Sequence, residues 1–208
     1  MSASLNCLFR RSALFCTLLS LASVGQTADW NEAVNGDLSG VGMQPTALSL
    51  AAGTNTVRGT TGRAFAGGAV DLDYFTVIVP AGHELSELNV LAGTLALGDG
   101  SFIALMSGST FTVPPTTATA AGLLGWTLFS DTNIGDDLLG FMSTPSFGSS
   151  GFSPPLAPGS YSFWVQETAV GVSTYALSLV VTAVPEPATA LAMLGGLAML
   201  AAALKRRR

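Results

Sequence analysis

The chain predicts an all-β domain, an antiparallel β-sandwich or jelly roll, set between an N-terminal signal peptide and one C-terminal transmembrane helix. Three observations carry that prediction. Residues 46–182 are short apolar runs separated by Gly, Pro, Thr and Ser clusters. No stretch among them keeps a 3.6-residue period for a useful length. The two ends, by contrast, are apolar segments with basic clusters beside them.

Taken in order, the strand candidates are Leu48–Ala51, Thr56–Thr60, a run ending at Val79, Leu85–Leu91, Ser101–Met106, Leu123–Phe129 and two late runs. In the third, Tyr74, Thr76 and Ile78 alternate with Phe75, Val77 and Val79 before the turn Pro80-Ala81-Gly82. Tyr161, Phe163 and Val165 share one face of a later strand, which puts Trp164 on the other. Tyr175, Leu177, Leu179 and Val181 share one face of the last. With no helix expected between them, these strands pack as two antiparallel sheets. Residues 131–160, rich in Gly, Ser and Pro, read as one long surface loop. The domain is expected to span 29–183.

Charge and cysteine narrow the function classes. Of 208 residues, the only cysteines are Cys7 and Cys16, both within the signal segment. Once that segment is cut away, no disulfide, thiolate metal site or cysteine nucleophile is left. From Asp29 to Val184 there are twelve acids against Arg58 and Arg63, a net charge of −10. Nucleic acid is therefore not an expected partner, since phosphate binding needs clustered Lys and Arg. Divalent cations remain compatible. There is no Gly-x-Ser-x-Gly elbow, Walker loop or HExxH motif, and His83 is the sole histidine, in a turn. The chain reads as non-enzymatic, with a hydrolase as the remote alternative.

The N-terminal segment, residues 1–28, has the layout of a secretory signal. Arg10-Arg11 precede the apolar stretch Ser12 to Val24, and small residues follow. Cleavage after Gly25 or after Ala28 both fit. Ala13 stands where a twin-arginine signal prefers Phe, so general secretory export is expected.

At the other end, Val184-Pro185-Glu186-Pro187 is built to be extended, because each proline lacks an N–H and biases its predecessor away from helix. Residues 188–204 follow without a charge, a helix about 25 Å long that spans a bilayer when its flanks snorkel. Lys205, Arg206, Arg207 and Arg208 hold the tail on the cytoplasmic side. The succession of Pro-Glu-Pro, short apolar span and terminal arginines resembles the PEP-CTERM sorting signal of Gram-negative bacteria, over residues 185–208. The resemblance implies an exosortase as processing partner, transient anchoring in the inner membrane and cleavage near Pro185-Glu186-Pro187. It also implies delivery to the outer surface or an exopolysaccharide matrix. A structural or interaction role there is the expected function.

A second resemblance spreads over Glu32 to Thr182. It runs through Glu32, Asn35 and Asp37, then Gly53-Thr54-Asn55-Thr56-Val57-Arg58-Gly59, then Asp71-Leu72-Asp73-Tyr74-Phe75. It ends with Asp136-Asp137 and Pro158-Gly159-Ser160-Tyr161-Ser162-Phe163-Trp164-Val165. This is similar to the bacterial pre-peptidase C-terminal domain, a jelly-roll module of exported proteins. The resemblance implies calcium at the early acids and at the Asp-x-Asp. No protease domain precedes the module here, so an auxiliary role toward a fused enzyme does not follow.

The residues themselves allow the same cation. Asp71 and Asp73, two apart on a strand, share a face at roughly 7 Å. Two such carboxylates repel, and a hard cation with oxygen ligands relieves that. Glu32, Asn35 and Asp37 could close over it and pin the N-terminal segment to the sheet. Exposed acids capping turns are the plainer alternative. Asp131-Thr132-Asn133-Ile134-Gly135-Asp136-Asp137 is a second partial calcium loop, without flanking helices or a closing Glu. The spacing of Asp71 and Asp73 also suits a glycosidase pair, but no cleft is legible around them. Trp30, Trp126 and Trp164 could stack on sugar rings, which makes a calcium-stabilised carbohydrate-binding module the alternative function. Core packing is the commoner fate of a lone Trp.

Overall fold

Which side chains a strand sends inward is settled by its period of two, and the inter-sheet space of this protein follows that rule almost throughout. The computed structural model describes residues 29–167 and 169–185, with positions 196, 199 and 204–206 near the C-terminus. The predicted signal peptide (1–28), Glu186, Pro187, Arg207, Arg208 and most of the predicted transmembrane helix lie outside the described residues. Among those described, no helix is long and apolar enough to cross a membrane.

Nine strands build two sheets: β1 (Asp29–Asn31), β2 (Thr46–Ser49), β3 (Gly53–Arg63), β4 (Leu72–Val79), β5 (His83–Val90), β6 (Ser101–Ser107), β7 (Gly125–Phe129), β8 (Gly159–Gln166) and β9 (Gly171–Ala183). The four-stranded sheet has the order β1-β3-β9-β5 and the five-stranded sheet β2-β4-β8-β6-β7. The all-β sandwich expected from the sequence is thus present. Its antiparallel character is not complete, because β1 pairs parallel with β3 and β2 parallel with β4. Both exceptions are short strands of the N-terminal segment laid along a sheet edge, and edge pairing leaves strand direction free where no hairpin fixes it.

The core lies between the sheets. β4 contributes Phe75, Val77 and Val79, β8 contributes Phe163 and Val165, and β9 contributes Tyr175, Leu177, Leu179 and Val181. Phe75 and Phe163 are register partners, and their rings stack at 5.0 Å. In β5, Leu85 and Leu88 are three apart and should face opposite ways. A bulge between Leu85 and Glu87 restores both to the core, where each is fully buried.

The five-stranded sheet is also covered on its outer face. Tyr74, Ala104 and Trp164 are buried there beneath Phe111, Val113, Ala120 and Leu123 from the β6–β7 connection. Phe111 is anchored by its N–H to the Gly42 carbonyl at 2.7 Å. A Cβ on Gly42 would meet the Phe111 carbonyl at 2.6 Å, so this approach requires glycine.

Residues 131–160 are not one surface loop. After a 3₁₀ turn at Asp131–Asn133, a short helix completes the described pair, α1 (Glu32–Asn35) and α2 (Leu138–Met142). Leu138, Leu139 and Met142 on α2 are fully buried in the main core. Asp137 caps α2 by accepting the Leu139 N–H at 3.0 Å, and the same oxygen accepts the Leu88 N–H of β5 at 2.9 Å. Five residues are too few to register as a helical period, and tertiary burial supplies the stability that propensity does not. We expect Leu139→Ala to destabilise the protein by about 2–5 kcal/mol in chemical denaturation. A change near zero would return the segment to the status of a surface loop.

Candidate metal centre

The acidic residues singled out in the sequence converge in part. α1 follows β1 directly, with Asn31 as its cap, and this places Glu32 against the end of β3. The Glu32 carboxylate accepts the Leu38 N–H at 3.1 Å through one oxygen and the Thr60 N–H at 2.7 Å through the other. Because β1 pairs only with Thr56 to Arg58, the Thr60 N–H lies beyond the reach of that strand, and Glu32 takes its place. The chain then turns so that Asp37, exposed, comes back over the sheet.

Asp73 comes from the opposite direction. It is the first inward position of β4, in line with Phe75 and Val77, and it has no exposed surface. One carboxylate oxygen accepts the Tyr175 hydroxyl at 2.7 Å across the inter-sheet space. Its other oxygen, Oδ1, is buried with no partner among the described residues. Tyr175 in turn lies over Gly59 of β3, where a Cβ would meet the phenol oxygen at 2.5 Å. Glycine at this position is what lets the ring reach Asp73.

One oxygen each of Glu32, Asp37 and Asp73 lie within 4.8 Å of one another. Oxygens that far apart can share a cation at calcium's usual 2.3–2.6 Å (roughly half the separation). Electrostatics point the same way. Burial is the main cause that pushes the Asp73 carboxyl up to about 8, and the Glu32 carboxylate adds to it. Burial also raises Glu32; the hydrogen bonds from Leu38 and Thr60 work against that shift, and the like charge of Asp37 adds to it. Burial, then the Asp73 charge, raise Tyr175 well above the usual phenol range. No lysine or arginine enters these balances. A buried carboxylate pair without a cation has to hold a proton instead.

Two of the five predicted ligands fall outside this trio. Asn35 has its Oδ1 committed to the Asn31 N–H at 2.8 Å, closing α1. Asp71 precedes β4 with its N–H bonded to the Gly62 carbonyl, and it is raised first by burial and then by Asp37. It contributes charge to the cluster without joining the three converging oxygens. The second partial loop adopts the turn alternative: Asn133 donates to Asp136 at 3.0 Å, and Asp137 caps α2. His83, expected in a turn, is the first residue of β5, with its ring against the Ala81 carbonyl of the preceding turn. Tyr175 and Thr60 were not legible as parts of the site. The signal for Tyr175 was a polar-tipped aromatic on an otherwise aliphatic inward face, opposite a strand carrying an inward Asp.

The sign of the pH dependence follows from Asp73. In the metal-free protein the folded state keeps a proton between about pH 4 and 8 that the unfolded chain has lost. Stability from this group is therefore full below its unfolded value and falls as pH rises through about 8, by about 6 kcal/mol in all. We expect denaturation in EDTA to show that decline and Asp73→Asn to remove most of it. Native protein as stable at pH 9 as at pH 5 would contradict the assignment. Comparison of the chain with protein-family models, curated proteins and solved structures returned no match.

Proposed function

We propose that the chain is an exported, non-catalytic β-sandwich that holds a structural calcium ion and is delivered to the outer cell surface by its C-terminal sorting signal. Two observations carry the metal half: Asp73 Oδ1 is buried with no partner among the described residues, and one oxygen of the Asp73 carboxylate lies within 4.8 Å of an oxygen each of Glu32 and Asp37. Calcium suits an all-oxygen, irregular donor set with several carboxylates, and the remaining positions would be filled by backbone carbonyls or water. In that role the ion ties the N-terminal segment, β3 and β4 together, and replaces the proton that Asp73 otherwise carries.

The sorting half rests on the sequence from Val184 onward and on how the sandwich ends. β9 stops at Ala183, the Val184 N–H bonds the Gly82 carbonyl at 2.8 Å, and Val184 and Pro185 are exposed. An extended, accessible segment next to the β4–β5 turn is what an exosortase would need in order to cut there. Lys205 and Arg206 are exposed as well, consistent with a cytoplasmic basic tail. The processed protein would then lodge in the envelope or in an exopolysaccharide matrix. The lack of a Gly-x-Ser-x-Gly elbow, Walker loop or HExxH motif in the sequence supports the non-catalytic reading.

Millimolar calcium should raise the melting temperature of the protein by several degrees, and Asp73→Asn should abolish the rise. An unchanged melting temperature would remove the metal. Separately, Glu186→Ala or deletion of Lys205–Arg208 should leave the protein in the inner membrane, read by fractionation. Normal surface delivery of both variants would end the sorting reading.

A further inference from the structure

A different part of the molecule holds a cleft that neither the metal nor the sorting reading uses. It lies on the outer face of the five-stranded sheet, beyond the buried cluster around Tyr74, and has a volume of about 250 Å³. Its floor comes from three adjacent strands. Phe102 of β6, Trp126 of β7, and Trp164 and Gln166 of β8 all point outward by the strand alternation. Ala104 is the register partner of both tryptophans, and its small side chain leaves them apart. Phe102 bridges the gap, stacking on Trp126 at 5.8 Å and meeting Trp164 edge-on at 4.8 Å.

One wall is the 113–120 segment, and the other is Phe147. Phe147 is 74% exposed, yet it sits at φ 49°, in the left-handed region that a non-glycine residue adopts at a cost. Its turn is firmly built: Ser149 bonds the Ser146 carbonyl through both N–H and hydroxyl, and the Ala120 N–H bonds the Phe147 carbonyl at 2.8 Å. The Trp126 indole donates to the Ser146 carbonyl at 3.4 Å. Folding gains little from an aromatic ring presented to solvent on a strained backbone. A ring held edge-on to Trp126 at 5.6 Å, at the mouth of a cleft, is instead placed to contact something that enters.

The lining chemistry limits what that is. Among the described residues, no charged side chain lines the cleft. Besides the indole N–H groups of Trp126 and Trp164, the polar side-chain groups are the Gln166 amide and the hydroxyls of Thr117 and Thr119, all neutral, and these last three have no hydrogen bond among the described residues. Aromatic faces with neutral donors and acceptors at their edges match a ring that has an apolar C–H face and a rim of hydroxyls. The volume is below the roughly 300–1,000 Å³ of sites for drug-sized ligands, which fits a single ring. We propose that this cleft binds one pyranose unit of a neutral saccharide, with the ring against Trp126 and Phe147 and its hydroxyls toward Gln166 and the two threonines. An anionic sugar is disfavoured by the absence of any cation in the lining.

The test is titration of the full-length chain with cellohexaose, mannohexaose and galactohexaose, read by the Trp126 indole N–H resonance and by tryptophan emission. At least one sugar should shift that resonance saturably at concentrations of up to about 10 mM. Phe147→Gly keeps the left-handed turn while removing the ring, and Trp126→Ala removes the floor. Each should weaken binding at least about tenfold. Repeating the titration in EDTA separates this site from the metal: binding that survives EDTA leaves the cleft intact whatever happens to the calcium reading. Absence of a shift with all three sugars overturns the proposal. So does undiminished binding by Phe147→Gly, or saturation of the cleft by free indole with no response to any sugar, which would make it an apolar pocket.

Discussion

Asp73 is a carboxylate placed where the fold has room only for core. It stands in the inward register of β4, level with Phe75 and Val77, and is fully buried between the sheets. Burying such a group is tolerated only when its oxygens are occupied or its charge is neutralised. One oxygen has Tyr175, the other is without a partner among the described residues, and the carboxylate comes within 4.8 Å of oxygens of Glu32 and Asp37. Much of the local architecture is arranged around that requirement. Gly59 makes space for the phenol, and Glu32 is held by backbone N–H groups of Leu38 and Thr60. The N-terminal segment is bent back over the sheet as a result.

The two sheets are not equivalent in what they bury. The inner face of each supplies the main core, but the five-stranded sheet carries a second apolar layer outside it. That layer consumes Tyr74 and Trp164, which stack at 5.7 Å, and leaves Trp126 and Phe102 partly open beside them. The acidic cluster is on the inner side of β4 and the aromatic cleft on the outer side of its sheet. The two faces of the sheet therefore keep the two chemistries apart. The proposed calcium would act on how the sandwich is closed, and the proposed sugar on what its surface meets.

Strand alternation explains which parts of the reading held. Tyr161, Phe163 and Val165, and Tyr175, Leu177, Leu179 and Val181, share faces as expected, because a residue's side of a pleat depends only on parity. The same rule put Trp164 opposite Phe163. Parity is reset between Leu85 and Leu88 by a bulge, and pattern alone does not reveal an inserted residue. It also gave no account of β1 and β2, whose parallel pairing reflects where the N-terminal segment lands on two sheet edges.

What the sequence determined by itself is what depends on local composition and spacing: an all-β sandwich, the inward faces of its long strands and an acidic, cysteine-free domain. The apolar, basic-tipped tail belongs with these. Which acids meet was decided by the tertiary structure. Glu32 and Asp73 are far apart in the chain and come together because β1 lies on β3 while Tyr175 crosses from β9, an arrangement set by long-range pairing. Burial of α2 and the aromatic cleft beneath Phe147 have the same origin. Each depends on surfaces contributed by segments that share no local pattern, so the favourable contacts exist only once the sheets have closed.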